Sequence, residues 1–105
     1  MIALEDFQEN ARRASALLKA MSNEHRLMIL CRLLEGEYSV SELERMIGLS
    51  QSALSQHLAR LRRDSLVQTR RAAQTIYYSL NGEEAKSVLQ CLHDLYCGID
   101  SAAAQ

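Results

Sequence analysis

Residues 39–64, SVSELERMIGLSQSALSQHLARLRRD, read as two short helices joined by a tight turn. Ser39 followed by Glu42 forms a capping box, in which hydroxyl and carboxylate each satisfy a backbone N–H of the first turn. Val40, Leu43 and Ile47 supply the buried side of that helix. Gly48 ends it, because the turn needs a residue that tolerates positive φ. Ser50 caps the second helix, where Leu54, Leu58 and Leu61 recur at i, i+4 and i+7. Steps of about 100° per residue set Ser52, Gln56, Ala59 and Arg63 opposite that rail, with Ser55 and Arg60 at its edges. Such a pair, with small polar groups and arginines facing outward, predicts a reading head for duplex DNA. The first helix braces and the second enters the major groove.

The flanking segments fit that head. Residues 66–71 and 75–80 alternate and are rich in Val, Thr, Ile and Tyr, which predicts a β-hairpin with its tip at Ala72–Gln74. Upstream, residues 4 to 20 read as a helix with an apolar seam of Phe7, Ala11, Ala14, Leu18 and Met21. Ser22 or Asn23 caps a second helix that runs to about Glu35 and stops at Gly36. Its stripe is Leu27, Leu30, Cys31 and Leu34. Ile29 and Leu33 lie on the other side, so this helix is expected at the centre. Asn81 is expected to cap a last helix, with Glu84 at the capping-box position and a wide apolar face of Ala85, Val88, Leu89, Leu92, Leu95, Tyr96 and Ile99. The tail SAAAQ reads as frayed. The order predicts a mainly α fold with a β-hairpin wing, a winged helix-turn-helix. It forms one domain over residues 1–105.

Composition narrows the function. The chain has 12 Lys+Arg and 13 Asp+Glu, so its sum of charge says little. The distribution says more: Arg60, Arg62, Arg63, Arg70 and Arg71 cluster mid-chain with Asp64 as the local acid, while acids collect toward both ends. Such a basic band is either a phosphate-binding face or a solvated surface. No apolar run approaches the roughly 20 residues that span a bilayer. The start MIALEDFQEN lacks the basic and apolar parts of a secretion signal, so a cytoplasmic location is expected, with reduced thiols. No nucleophile–base cluster, phosphate loop or CxxC motif suggests an enzyme, and no cofactor is implied.

Ser50, Gln51, Ser52, Ser55 and Gln56, at the front of the second helix of the pair, are the candidate base- and backbone-contacting residues. Glutamine can pair bidentately with adenine. Arg60 and Arg63 are expected at phosphate or guanine. Arg70, Arg71 and Gln74 surround the hairpin tip, within reach of phosphate or the minor groove. His57 flanks the leucine rail and reads as a packing residue rather than a switch.

Cys31 lies on the stripe of the second helix, and taken alone it reads first as a plain core cysteine. Cys97 sits about 140° round the last helix from Leu92, off its apolar face. Cys91 lies about 100° the other way, on a different flank.

These residues resemble a known family. LLKAMSNEHRLMILCRLLEGEYSVSEL, LSQSALSQHLARLRRDSLVQTRRAAQTIYYSL and LHDLYC are similar to the ArsR/SmtB winged-helix repressors, and more closely to their HlyU/BigR branch of sulfide- and persulfide-responsive regulators. The likeness spans roughly residues 15–97. The helix-turn-helix string and wing are specific to the family, and the ILC and LYC cysteines to the branch. The resemblance implies a homodimer through the first and last helices, bound to an imperfect inverted repeat in promoter DNA. It implies release by a small reactive sulfur effector when Cys31 and Cys97 join through a disulfide or a polysulfide. Ser65 departs from the glycine common in relatives; if left-handed, it costs about 1 kcal/mol. Cys91 is an extra thiol without a place in the branch pattern.

Two other regulators fit less well. A metal- or metalloid-responsive ArsR repressor would need cysteines near Val40–Glu44, or several His and acidic residues on the last helix, where only His93 and Asp94 are close. A trigonal site of Cys31, Cys91 and Cys97 conflicts with the two flanks. An inducer-independent antagonist of a nucleoid silencer would carry inert cysteines.

Overall fold

The computed structural model describes residues 2–96. Cys97, Ile99 and the SAAAQ tail lie outside the described residues. The elements run α1 (Leu4–Met21), α2 (Glu24–Glu35), β1 (Tyr38–Ser39), α3 (Val40–Ile47), α4 (Gln51–Arg63), β2 (Val67–Ala72), β3 (Thr75–Leu80) and α5 (Glu83–Tyr96). The winged helix-turn-helix expected from the sequence is present.

Local chemistry starts and stops these elements as read, with three differences. The Asn23 side-chain oxygen accepts from the N–H groups of His25 and Arg26, at 2.9 and 3.1 Å, and so opens α2. Ser39 and Glu42 form the full capping box of α3. Its carboxyl is held below the ordinary carboxylate range, first by the bond from the Ser39 backbone N–H. Gly48 ends α3 at φ 81°. Gly36 ends α2 at φ 163°, extended backbone open to any residue, so nothing at that turn requires glycine. Asn81 does not sit next to α5. The helix starts at Glu83 after Gly82 (φ 87°), and the Asn81 side-chain amide instead donates to the Ser65 carbonyl at 2.9 Å. Glu84 reaches sideways to Arg13 of α1, at 3.0 Å. The third difference is β1, two residues too short to show an alternation. It pairs Tyr38 with Tyr78 and Ser39 with Tyr77, making the hairpin a three-stranded antiparallel sheet of order β1-β3-β2.

The core gathers round α2, which packs against α3, α4, α5 and β3. Ile29, Leu30 and Leu33 of α2 are its most buried residues, with Leu43, Leu54, Leu58, Leu61 and Leu89 closing around them. Leu27, Cys31 and Leu34, read as the inner stripe, are only half-buried. The buried Arg26 guanidinium donates to the Ala20 carbonyl at 2.8 Å and pins the end of α1 to α2. Beyond that pin, apart from Leu17, which packs against the core, and Arg13, which meets Glu84, the rest of α1 is bare: Leu4 is 69% exposed, Phe7 60% and Leu18 56%. Of its seam, Met21 alone is buried. The Cα radius of gyration, 15.5 Å, exceeds the about 13 Å of a compact chain this long. On α5, Ala85 and Leu89 are buried while Leu95 and Tyr96 are bare. A single copy therefore leaves parts of both terminal helices uncovered. No helix among the described residues is long and apolar enough to cross a membrane.

Candidate functional site

Helix α4 decides the geometry of the site. Leu54, Leu58 and Leu61, at most 1% exposed, bolt one side of it to the core. That fixes the opposite side outward, and Ser50, Gln51, Ser52, Ser55, Gln56, Arg60 and Arg63 are all exposed. The Ser50 hydroxyl accepts from the Ala53 N–H at 3.2 Å, so its first duty is the helix cap. Gln51, Ser52, Ser55 and Gln56 form no side-chain hydrogen bond among the described residues and stand ready for an outside partner. His57 is half-buried beside the leucine rail. Its ring lies 5.9 Å from that of His25, and burial, then the Arg26 charge, push its pKa below the ordinary value. It packs, as read.

The end of α4 is a Schellman turn with serine where glycine usually sits. Ser65 N–H donates to the Arg62 carbonyl at 3.0 Å and Leu66 N–H to the Leu61 carbonyl at 2.9 Å. Ser65 has φ 62°, the left-handed conformation. Leu61 and Leu66, the apolar pair that accompanies such turns, are both buried. This turn sets the angle between α4 and the wing.

Four arginines divide by their partners. Arg60 and Arg63 both meet Asp64, at 3.5 and 3.4 Å. Arg70 donates three bonds of 2.7–3.2 Å to the two Glu37 oxygens and lies 4.8 Å over the Tyr77 ring. The Arg70 bonds hold the Glu37 carboxyl below its ordinary range, and the Arg70 pKa is raised in turn. Arg71, at the exposed tip, donates to the Ala73 carbonyl at 3.2 Å. Gln74 is exposed in the two-residue turn, after Ala73 at φ 56°. Of the tip residues named from the sequence, Arg71 and Gln74 are thus open, whereas Arg70 already has a carboxylate partner.

The sequence reading counted Arg62 in the basic band but left it out of the contact residues. Arg62 is exposed and lines a groove of about 360 Å³ between α4 and the sheet. The reading passed over Glu37, which neutralises Arg70 from 33 residues away, and Arg26. Arg62 lies seven residues after Ser55, on the same helical face, which was a usable signal. The other two contacts depend on tertiary structure and leave no mark in the pattern.

Cys31 is half-buried on α2 and packs against the core cluster. Cys91 is exposed on α5. Cys97 follows the last described residue. Helix α2 packs beside α5. Among the described residues, no group of three His, Cys, Asp or Glu could hold a metal ion.

Comparison with known proteins gives one consistent result. The family described as "Bacterial regulatory protein, arsR family" matches residues 23–69. The transcriptional activator HlyU of Vibrio cholerae is 56% identical over 90% of this chain and 87% of its own. Its solved structure, described as reduced HlyU, has a TM-score of 0.86, covering 90% of this chain and 99% of that one. The transcriptional repressor BigR from Xylella fastidiosa has a TM-score of 0.82 at 41% identity, over 91% and 98%. A homodimeric winged helix-turn-helix DNA-binding domain from Mycobacterium bovis has a TM-score of 0.76 at 25% identity, over 89% and 86%.

Proposed function

Because this chain belongs to the ArsR family of bacterial transcriptional regulators, we propose that it is a dimeric repressor that holds promoter DNA while reduced and releases it on oxidation. The observation that carries the DNA reading is the buried leucine rail of α4, which leaves Gln51, Ser52, Ser55 and Gln56 exposed and unspent. In the major groove these short side chains approach base edges closely, with Ser50 at the helix start. Arg60, Arg63, Arg71 and Gln74 complete the proposed contact set, and the phosphate contacts among them fix register without reading sequence, while Arg70 is held by Glu37 and stays out of it.

The dimer is proposed through α1 and α5. Leu4, Phe7 and Leu18 on one helix and Leu95 and Tyr96 on the other are uncovered apolar side chains that a second copy would bury. The relative from Mycobacterium bovis, described as homodimeric, supports a dimer as such.

The sensor is proposed to be Cys31 with Cys97. A persulfide is the two-electron oxidant: one cysteine thiolate takes its outer sulfur and expels a thiolate, and the second cysteine thiolate then attacks the inner sulfur and expels hydrosulfide, leaving a disulfide. Where both cysteines have become persulfides, one attacks the other and expels hydrosulfide, leaving a trisulfide. A relative solved in a form described as reduced supports a redox-active reading. A bridge would tie α2 to the end of α5, the proposed interface helix. Half-sites about 34 Å apart require a fixed spacing of the two heads, so a small rotation of one subunit against the other lowers affinity.

Selection of binding sites from a random duplex library with the reduced protein tests the first half. An imperfect inverted repeat with half-sites about 10 base pairs apart is expected, and no enrichment would overturn it. Peptide mapping after persulfide treatment tests the second. A Cys31–Cys97 link is expected, with or without added sulfur. Its absence in fully reacted protein removes the sensor.

A further inference from the structure

The register of the wing separates its two arginines. Cross-strand partners share a face of the sheet, and Thr69 pairs with Tyr78 while Arg71 pairs with Ile76. Alternation by two therefore puts Arg71 on the face that carries Tyr78, and Arg70, paired with Tyr77, on the other. Tyr78 lines the groove of about 360 Å³ whose opposite wall is α4, with Ser55, Ala59 and Arg62. These three occupy i, i+4 and i+7 and form one stripe along the helix. The cations facing this groove differ in their freedom. Arg63 also borders it but meets Asp64, and Arg60 meets the same carboxylate. Arg62 forms no ion pair or side-chain hydrogen bond among the described residues. No acidic side chain lines the groove.

We propose that the groove between α4 and the wing seats a phosphodiester of the DNA backbone, with Arg62 as its principal charge and Arg71 at its outer end. Arg70 is a strut that ties the sheet to Glu37 and contributes nothing to phosphate binding. The small side chains of Ser55 and Ala59 leave the helix wall low enough for a backbone to lie against it. The inference rests on the DNA-binding reading above and adds which arginine does the electrostatic work.

A phosphate contact acts on any sequence, so the probe is a labelled 30-base-pair duplex of mixed sequence, titrated at several sodium chloride concentrations. Each phosphate neutralised contributes about 0.9 to the slope of log affinity against log salt, so Arg62→Gln should lower the slope by about 0.9 per bound subunit and weaken binding about eightfold per subunit at 0.1 M salt. Arg62→Lys should keep the slope. The paired replacement Arg70→Gln with Glu37→Gln, which leaves net charge unchanged, should keep it too. Arg62 is exposed, and an unchanged circular dichroism melt confirms that its variants fold. A wild-type slope in Arg62→Gln, or a slope lost with the Arg70/Glu37 pair, overturns the proposal while leaving the DNA reading intact. Failure of the wild type to bind any duplex overturns that reading itself.

Discussion

Replacing Ser65 by glycine should stabilise this protein. The residue holds φ 62° at the turn that closes α4, where an L side chain costs about 1–2 kcal/mol through the clash of Cβ with the following carbonyl. Glycine removes that cost but brings a more flexible unfolded chain, a penalty of about 0.5–1 kcal/mol. Taking the middle of each range leaves a gain of about 0.75 kcal/mol, or about 3–6 °C in Tm for a domain near 100 residues. The hydrogen bonds of the turn use backbone atoms of Ser65, Arg62, Leu66 and Leu61, so none is lost. The assay is thermal unfolding followed by circular dichroism at one fixed protein concentration, since a dimer's Tm depends on it. Ser65→Ala keeps Cβ and should gain nothing; Ser65→Val, branched at Cβ, should lose. A Tm for Ser65→Gly equal to or below wild type would refute the reasoning. It would mean that the serine hydroxyl or the tension of this turn contributes to the folded state.

Other outcomes follow from single contacts. Arg26→Ala removes the buried donor to the Ala20 carbonyl, a charged hydrogen bond that contributes about 1.5–3 kcal/mol; urea unfolding should show that loss. Leu58→Ala empties a fully packed site on the rail of α4 and should cost about 2–5 kcal/mol, again by urea titration. Stability should fall as pH drops below about 6.5, because the folded pKa of His57 is depressed and the unfolded chain takes up the proton first. His57→Gln should flatten that part of the pH–stability curve. The depressed carboxyls Glu37 and Glu42 act in a separate window. Their contribution is present above the unfolded carboxylate pKa of about 4.3 and is lost as pH falls through the folded values.

The parts of the fold governed by neighbours along the chain were legible in the sequence. Ser39 and Glu42 are three residues apart, so their capping box is written locally and forms as read. Leu54, Leu58 and Leu61 repeat with the helix period and are buried. The failures share a different cause. β1 exists because β3 is there to pair with it, and two residues cannot display a strand pattern. Asn81 looked like a cap, but the serine carbonyl at position 65, brought close by the turn, claims its amide. Arg70 and Arg71 are indistinguishable as neighbours in a string. Only strand alternation and Glu37 separate them. The α1 seam was read as apolar, and all of it but Met21 is uncovered in the single chain.

A reading head and a thiol switch in one protein can be followed in a single titration. Fluorescence anisotropy of the selected inverted-repeat duplex is measured at one stated salt concentration, with reduced and persulfide-treated wild type and with Cys31→Ser and Cys97→Ser treated alike. Treatment should weaken wild-type binding by about 5- to 150-fold, the usual range of coupling between two sites, while both variants keep the affinity of the reduced protein. Treated wild type that carries the Cys31–Cys97 bridge yet binds the duplex as tightly as before would contradict the switch.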